Sequence, residues 1–279
     1  MEKISTLGPK DTFSDYAAQK YLASHPQLCA EISYKKTIRK VFEDLSDGNS
    51  QIAVVPIENI LAGFVWMSLD GLYDFSVQIA EELILPIQLS FLSKIEYSKV
   101  ENIFVHPLAE EQCSQFLYKN FPEAKITFTD SNIDSFNRIG ENDFSAAVVP
   151  SHIYEENVKK YPYSEKEISD YPNNCTRFLV LRKEESDISE RVNKTSVIVS
   201  DNSDSPGILK NIANAFASRE INMTSIISRP TRQMIGKYHF FIDIDGCIQN
   251  DNVREALAEI SKNYPVKFLG CYESAKIKR

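Results

Sequence analysis

No stretch of the 279 residues approaches the ~18–20 apolar residues that a helix needs to cross a bilayer, which excludes a helical membrane span. No segment is low in complexity. The composition, 43% hydrophobic and 25% charged, excludes a disordered or fibrous chain. Glycine is scarce, at 9 residues, and there is no glycine-rich phosphate loop, no G-x-S-x-G elbow and no H-E-x-x-H pair. The five cysteines (Cys29, Cys113, Cys175, Cys247, Cys271) are odd in number and never spaced C-x-x-C, and the four histidines are equally dispersed. A structural zinc site needs clustered soft ligands, so reduced, mostly buried thiols and no metal are expected. A basic excess is also missing: 31 Lys and Arg face 39 Asp and Glu, a net charge of −8. That removes the footprint of a nucleic-acid binder. It leaves room for a small anionic substrate, because a local Arg or a helix N-terminus binds an anion whatever the global charge. The first nine residues contain no long apolar region, so no secretory signal is expected, and a cytoplasmic location is.

At roughly 100–200 residues per domain, the length favours two domains. The segment from Arg182 to Lys194 is polar apart from Ile188 and Val192 and reads as a solvated linker. Beyond it, Ser196–Val199, Met223–Ser228, Lys237–Ile244 and Val266–Tyr272 read as strands. Ile208, Leu209, Ile212, Ala213 and Phe216 recur at helical spacing after a Ser205 N-cap and Pro206. A second helix falls near Val253–Ser261. The order βαββαβ predicts a four-stranded sheet with two helices on one face.

The first 180 residues carry an imperfect duplication. Ala53-Val54-Val55-Pro56 returns as Ala147-Val148-Val149-Pro150. Upstream of each lies a matching series: strands Ile4–Pro9 and Ile103–Pro107, helices Phe13–Leu22 and Ala109–Tyr118, then a further strand and helix, Glu31–Tyr34 with Ile38–Leu45 and Lys125–Phe128 with Ile133–Ile139. Two βαβαβ lobes follow, with Val77–Leu92 leaving the first for the second and Asn174–Leu181 returning. Lobes joined in this way leave a cleft, and ligands of open α/β sheets bind at the carboxyl ends of the strands.

The residues to weigh therefore sit after strand ends. Thr12 is a natural N-cap, and the same helix start, with Ser14, can face a carboxylate. Glu58-Asn59 suits a hinge turn or a ligand contact, and Gly63 suits positive φ or close backbone approach. In the returning strand, Thr176 and Phe178 share one face while Arg177 and Leu179 share the other. A threonine bordering the cleft can donate a hydrogen bond to a substrate hydroxyl, although its pKa makes it a poor general acid.

At these residues the chain resembles the prephenate dehydratases. Leu7-Gly8-Pro9-Lys10-Asp11-Thr12-Phe13-Ser14 is similar to the family's L-G-P-x-G-T-F-S. Val55-Pro56-Ile57-Glu58-Asn59, His106-Pro107 with Gln112-Cys113, and Asn174-Cys175-Thr176-Arg177-Phe178 (the N-x-T-R-F motif) follow in order. Pro206-Gly207-Ile208-Leu209 and Ser228-Arg229-Pro230 are similar to the ACT regulatory domain. The chain departs from the pattern at Asp11 (glycine in the family), at Ile60, Ala62 and Phe64 (polar or acidic), at Leu108 and at Ile227, where the family has glutamate.

The resemblance implies an α/β chain with a two-lobed, periplasmic-binding-protein-like catalytic domain over 1–182, lobe one about 1–80 and 151–182, lobe two about 81–150. A linker over 183–194 and a ferredoxin-like ACT domain over 195–279 complete it. It implies conversion of prephenate to phenylpyruvate without metal or cofactor, with Thr176 and Phe178 catalytic and Thr12, Ser14, Asn59, Gly63 and Arg177 binding substrate. Phenylalanine is the implied effector, at Gly207, Ile208, Leu209, Ser228, Arg229 and Pro230, in a homodimer or homotetramer. The altered loop keeps other readings in play: a non-aromatising prephenate decarboxylase, an arogenate dehydratase relative, or a catalytically weak phenylalanine sensor.

Overall fold

The computed structural model describes residues 2–141, 143–183, 192–201, 206–232 and 236–275. Lobe one opens with β1 (Glu2–Leu7), α1 (Phe13–Ser24), β2 (Ala30–Lys35), α2 (Ile38–Ser46) and β3 (Ile52–Asn59). The short β4 (Gly63–Phe64), α3 (Trp66–Asp74) and β5 (Gln78–Pro86) follow. Helix α2 forms because Thr37 caps it, accepting from Lys40 N at 3.2 Å, and because Ile38, Val41, Phe42 and Leu45 fall on one buried stripe. Strand β3 begins with four fully buried residues, as a central strand covered on both faces must.

Lobe two contains β6 (Leu89–Ser93), β7 (Asn102–Val105), α4 (Pro107–Gln112), α5 (Ser114–Asn120), β8 (Lys125–Phe128), α6 (Asn132–Arg138), β9 (Ser145–Pro150) and α7 (Ser151–Asn157). The chain then returns through β10 (Cys175–Arg182). The first sheet runs β2-β1-β3-β10-β5, with β4 on β3; the second runs β6-β9-β7-β8. Strands β1, β2 and β3 are mutually parallel, and β10 is antiparallel to both its neighbours. This is the expected two-lobed α/β arrangement with two crossings.

The lobe boundaries shift from the expected 80 and 150. Strand β5 pairs with β10 from Gln78 to Pro86, so the first crossing falls at 87–88. Residues 151–168 stay with lobe two, because Ile153, Tyr161 and Ile168 are buried in its cores, and lobe one resumes only with β10. The helix expected over Ala109–Tyr118 is two short helices broken at Cys113.

The C-terminal module consists of β11 (Lys194–Ser200), α8 (Ile208–Ala217), β12 (Met223–Pro230), β13 (Tyr238–Asp245), α9 (Asp251–Ser261) and β14 (Val266–Tyr272). Its antiparallel sheet runs β12-β13-β11-β14. The expected Ser205 cap lies outside the described residues; the described helix begins after Gly207, at φ +96°. Strand alternation decides which way each face looks. Val197, Val199, Phe240 and Ile242 meet the two helices. Ile198, Phe241, Leu269 and Tyr272 join Phe42, Leu45, Leu72, Leu179 and Leu181 of lobe one in one apolar cluster.

The module thus lies flat on lobe one. At Gly270, φ +142°, a Cβ would sit 2.4 Å from the Ile79 carbonyl oxygen, so only glycine fits there. Lys267 Nζ donates to the carbonyls of Leu72, Tyr73 and Phe75 at 2.8, 2.9 and 2.7 Å, closing the end of α3 with a cation. Lys267→Met is expected to lower stability by about 1.5–3 kcal/mol, the range for hydrogen bonds to a charged group. A denaturant midpoint equal to the parent's would contradict this role.

Candidate active site

Between the lobes lies a cavity of about 290 Å³. Lobe one supplies Phe13, Ser14, Pro56, Asn59, Ala62, Gly63, Phe64 and Val65; lobe two supplies His106, Leu108, Ala109, Gln112 and Asn132; β10 supplies Thr176 and Phe178. Five of the seven residues expected to serve the catalytic reaction therefore meet: Ser14, Asn59, Gly63, Thr176 and Phe178.

Asn59 ends β3 opposite Thr176 in the antiparallel pairing. Its Oδ1 accepts from the backbone of Leu61 and Ala62, at 3.0 and 2.9 Å. An amide oxygen engaged by two N–H groups fixes which way the amide faces. Its Nδ2 then donates to Thr176 Oγ1 at 2.9 Å, and also to Asn174 Oδ1 at 2.9 Å and the Cys175 carbonyl at 3.1 Å. Asn174 Nδ2 in turn donates to Gln112 Oε1 at 3.1 Å, carrying the chain of bonds into lobe two. Phe178 is 1% exposed, its ring shared between the cavity wall and the core formed by Ile4, Ala17, Ala18, Tyr21 and Leu85.

Two expected substrate contacts fall elsewhere. Thr12 is absent from the cavity wall: its hydroxyl donates to the Pro9 carbonyl at 2.9 Å and caps α1 through Asp15 N. Arg177 is a correction of a different kind, because strand alternation sends it to the face opposite Thr176. There it binds Glu82, Asp243 and Tyr272. Among the effector candidates, Arg229 is likewise committed to lobe one. Its Nε and Nη2 donate to the two oxygens of Asp70 at 3.0 and 2.9 Å, and its guanidinium lies 4.8 Å from the Trp66 ring centroid. Arg232 also binds Asp70.

The departures from the family pattern have structural homes. Asp11 has φ +66°, the left-handed region that suits glycine and that Asp tolerates better than most residues. The buried Asp15 carboxylate steadies that loop, accepting from Asp11 N at 2.7 Å, Gln19 at 2.9 Å and Tyr34 Oη at 2.9 Å. Phe64 and Ile227 pack against the same cluster, in the seam between lobe one and the C-terminal module. Phe64 lines both that seam and the cleft.

Sequence reasoning left His106, Gln112, Asn132 and Phe64 out of the site. His106 and Gln112 had already been picked out by motif. Phe64 is among the departures of the altered loop, whereas Asn132 belongs to no motif and reaches the cavity wall only as the first residue of α6.

No Lys or Arg is among the described residues lining the cavity. Burial depresses the His106 pKa from its ordinary value, against a smaller opposing pull from Asp130. Its folded-state pKa therefore lies below that of the unfolded chain, near 6.5. As pH falls through ~6.5 the unfolded chain takes up the proton first, so stability is lost toward acid. The His106 ring-proton NMR titration is expected to have its midpoint below that of a free histidine; a midpoint at or above it would contradict the burial argument.

The chain matches a family model described as prephenate dehydratase over residues 4–186 and one described as ACT domain over residues 195–262. It is 32% identical over 280 residues to a bifunctional chorismate mutase/prephenate dehydratase of Aquifex aeolicus, covering 98% of this chain and 74% of that protein. It is 30% identical over 275 residues to a prephenate dehydratase of Lactococcus lactis subsp. cremoris, covering 97% of each. Among solved structures, the prephenate dehydratase of Arthrobacter aurescens in complex with L-Phe superposes with a TM-score of 0.86 at 30% identity. That match covers 98% of this chain and 90% of the other. With residues 4–186 and 195–262 so matched, the chain belongs to the prephenate dehydratase family and carries an ACT domain behind its catalytic domain.

Proposed function

We propose that the cleft converts prephenate to phenylpyruvate by loss of carbon dioxide and water, with the Thr176 hydroxyl as the group that assists departure. The C–C bond to the ring carboxylate breaks, its electron pair enters the ring, and the C–O bond to the ring hydroxyl breaks as the ring becomes aromatic. The departing oxygen is protonated ultimately from solvent. Aromatisation supplies the driving force, so the protein mainly orients the substrate and stabilises charge where it develops.

One observation carries this reading. Asn59 donates to Thr176 Oγ1, so this contact uses an acceptor lone pair of the hydroxyl and leaves its proton available to a group in the cleft that Thr176 lines. Threonine is too weak an acid to give up that proton, so it acts as a hydrogen-bond donor to the leaving oxygen. Phe178 forms the apolar wall beside the ring. Ser14 and the first turn of α1 provide neutral donors and a positive dipole end for a carboxylate. Mixing the purified protein with prephenate at neutral pH and reading phenylpyruvate by its absorbance in alkali tests the assignment. Rapid formation supports it. Consumption of prephenate without phenylpyruvate would point to decarboxylation without aromatisation, and no consumption would sink the enzyme reading.

We also propose a cytoplasmic dimer or tetramer joined through the ACT domains and responsive to phenylalanine. The free thiols suit a reducing compartment. The edge strand β12 exposes Ile226 and α8 exposes Leu209, which suits pairing with a second copy. An effector site at Gly207, Ile208, Leu209, Ser228 and Pro230 would share that edge, with Arg229 left to its partner Asp70. Light scattering at micromolar concentration is expected to give at least twice the 31.8 kDa chain mass; a monomer would refute the association.

A further inference from the structure

Arg177 stands between the two residues of β10 that face the cleft, yet its side chain leaves on the other side and meets a carboxylate from each domain. Nε donates to Glu82 Oε2 of β5 at 2.6 Å, Nη1 to Asp243 Oδ2 of β13 at 2.6 Å, and Nη2 to Tyr272 Oη of β14 at 2.9 Å. The rest of the cluster is equally committed. Lys194 Nζ donates to both Glu82 oxygens at 2.9 and 3.1 Å, and Ala275 N donates to Glu82 Oε1 at 2.8 Å. Ser196 Oγ donates to Asp243 Oδ1 at 2.5 Å. The side chains of Glu82, Arg177, Asp243 and Lys194 are only 1%, 13%, 14% and 13% exposed. Two cations and two anions balance, so the cluster is buried without net charge.

The position of this cluster along β10 matters as much as its composition. Opposite Arg177 and Phe178 the partner strand β3 carries one extra residue, Ile57, so the pairing shifts there, while Thr176 lies opposite Asn59 just before the shift. A bulge re-aims the side chains around it and loosens the ladder locally. The guanidinium grips the strand at that irregularity. Its planar fork fixes direction as well as distance, which a flexible ammonium would not.

We propose that Arg177 is a positioning residue for the dehydratase reaction: through Asp243 and Tyr272 the ACT domain holds β10 where it faces the bulge of β3, so that the Thr176 hydroxyl stays aimed into the cleft. This rests on the dehydratase reading above. The ACT sheet is then part of what makes the catalytic strand competent, and any ligand that moves β13 against β5 reaches Thr176 through one intervening residue.

The test uses the full-length chain with Asp243→Asn and Tyr272→Phe, both outside the cleft. Turnover, normalised to folded protein by circular dichroism, is expected to fall at least tenfold in Asp243→Asn and a few-fold in Tyr272→Phe, with KM for prephenate within twofold of the parent. Amide hydrogen exchange over residues 174–179 is expected to quicken about tenfold in Asp243→Asn. Asp243→Glu, which restores a carboxylate, is expected to recover much of the turnover. A purely structural role would lower the melting temperature but leave the kcat of the folded fraction and the exchange over 174–179 unchanged; that result overturns the proposal. Should Asp243→Asn fail to fold, Tyr272→Phe, which leaves every charge paired, is judged by the same criteria. A parent enzyme that forms no phenylpyruvate would refute the dehydratase reading instead. The exchange measurement needs no turnover and still decides whether the ACT domain holds this strand.

Discussion

Thr176→Ala is expected to lower kcat by about 10²–10³-fold, the effect of removing one preorganised donor from a developing charge. KM for prephenate should change little, because the interaction strengthens as the hydroxyl leaves and contributes less to ground-state binding. The fold should survive: the change removes a hydroxyl and a methyl from a residue that is 8% exposed at the cleft edge. The lost hydroxyl leaves Asn59 Nδ2 with two remaining acceptors, Asn174 Oδ1 and the Cys175 carbonyl. Thr176→Ser keeps the donor and should retain most of the activity. Unchanged turnover in Thr176→Ala, with phenylpyruvate still formed, would remove the residue from the mechanism.

Phe178→Ala is expected to cost about 3–5 kcal/mol of stability, the range for emptying a buried aromatic site. At a few degrees per kcal/mol, that lowers the melting temperature by on the order of 10 °C. The ring is 1% exposed and packs among Ile4, Val54, Leu85 and Val180, so the backbone around it cannot easily collapse into the void. Activity should fall as well, since the same ring walls the cleft. Phe178→Leu separates the two roles: it refills most of the volume but lacks a flat face, so it should regain stability before it regains turnover. A melting temperature within about 2 °C of the parent in Phe178→Ala would contradict the packing argument.

Much of this architecture was readable because periodicity and local punctuation agree. The predicted strands Lys125–Phe128 and Val266–Tyr272 match β8 and β14 residue for residue, and α1, α2 and α6 fall within a residue or two of their predicted ends. Helix α3 was not readable. Val65 gives it no side-chain cap, and Gly71 lies in its middle, where a Cβ would strike the Phe42 ring at 2.4–2.6 Å. The glycine that looks like a breaker is what lets α3 pack on α2. The break at Cys113 was also hidden, since an apolar stripe continues through both α4 and α5 and only the cap geometry marks the join.

At the site, alternation along β10 gave the two faces of Thr176 and Arg177 correctly. What waits on the second face could not be read, because Asp243 and Tyr272 lie 66 and 95 residues along the chain. The resemblance treated Thr-Arg-Phe as one unit facing substrate, whereas a strand presents its middle residue the other way. For Thr12, the modest role of helix cap accounts for both bonds that its side chain makes.

The apolar cluster that joins lobe one to the ACT sheet bears on how the chain comes apart. Ile198, Phe241, Leu269 and Tyr272 share it with Phe42, Leu72 and Leu181, whereas lobe two keeps two clusters of its own. The cooperative units of unfolding therefore cut across the divisions drawn by sequence. Lobe one and the ACT domain are expected to melt together, although lobe two is inserted within lobe one between β5 and β10. A fragment ending at Arg182 would present bare leucine, isoleucine and phenylalanine side chains where the sheet had lain, and the outcome is self-association rather than a freestanding catalyst. Limited proteolysis in the connecting segment need not release the ACT domain, since the nicked halves remain clasped through a common interior.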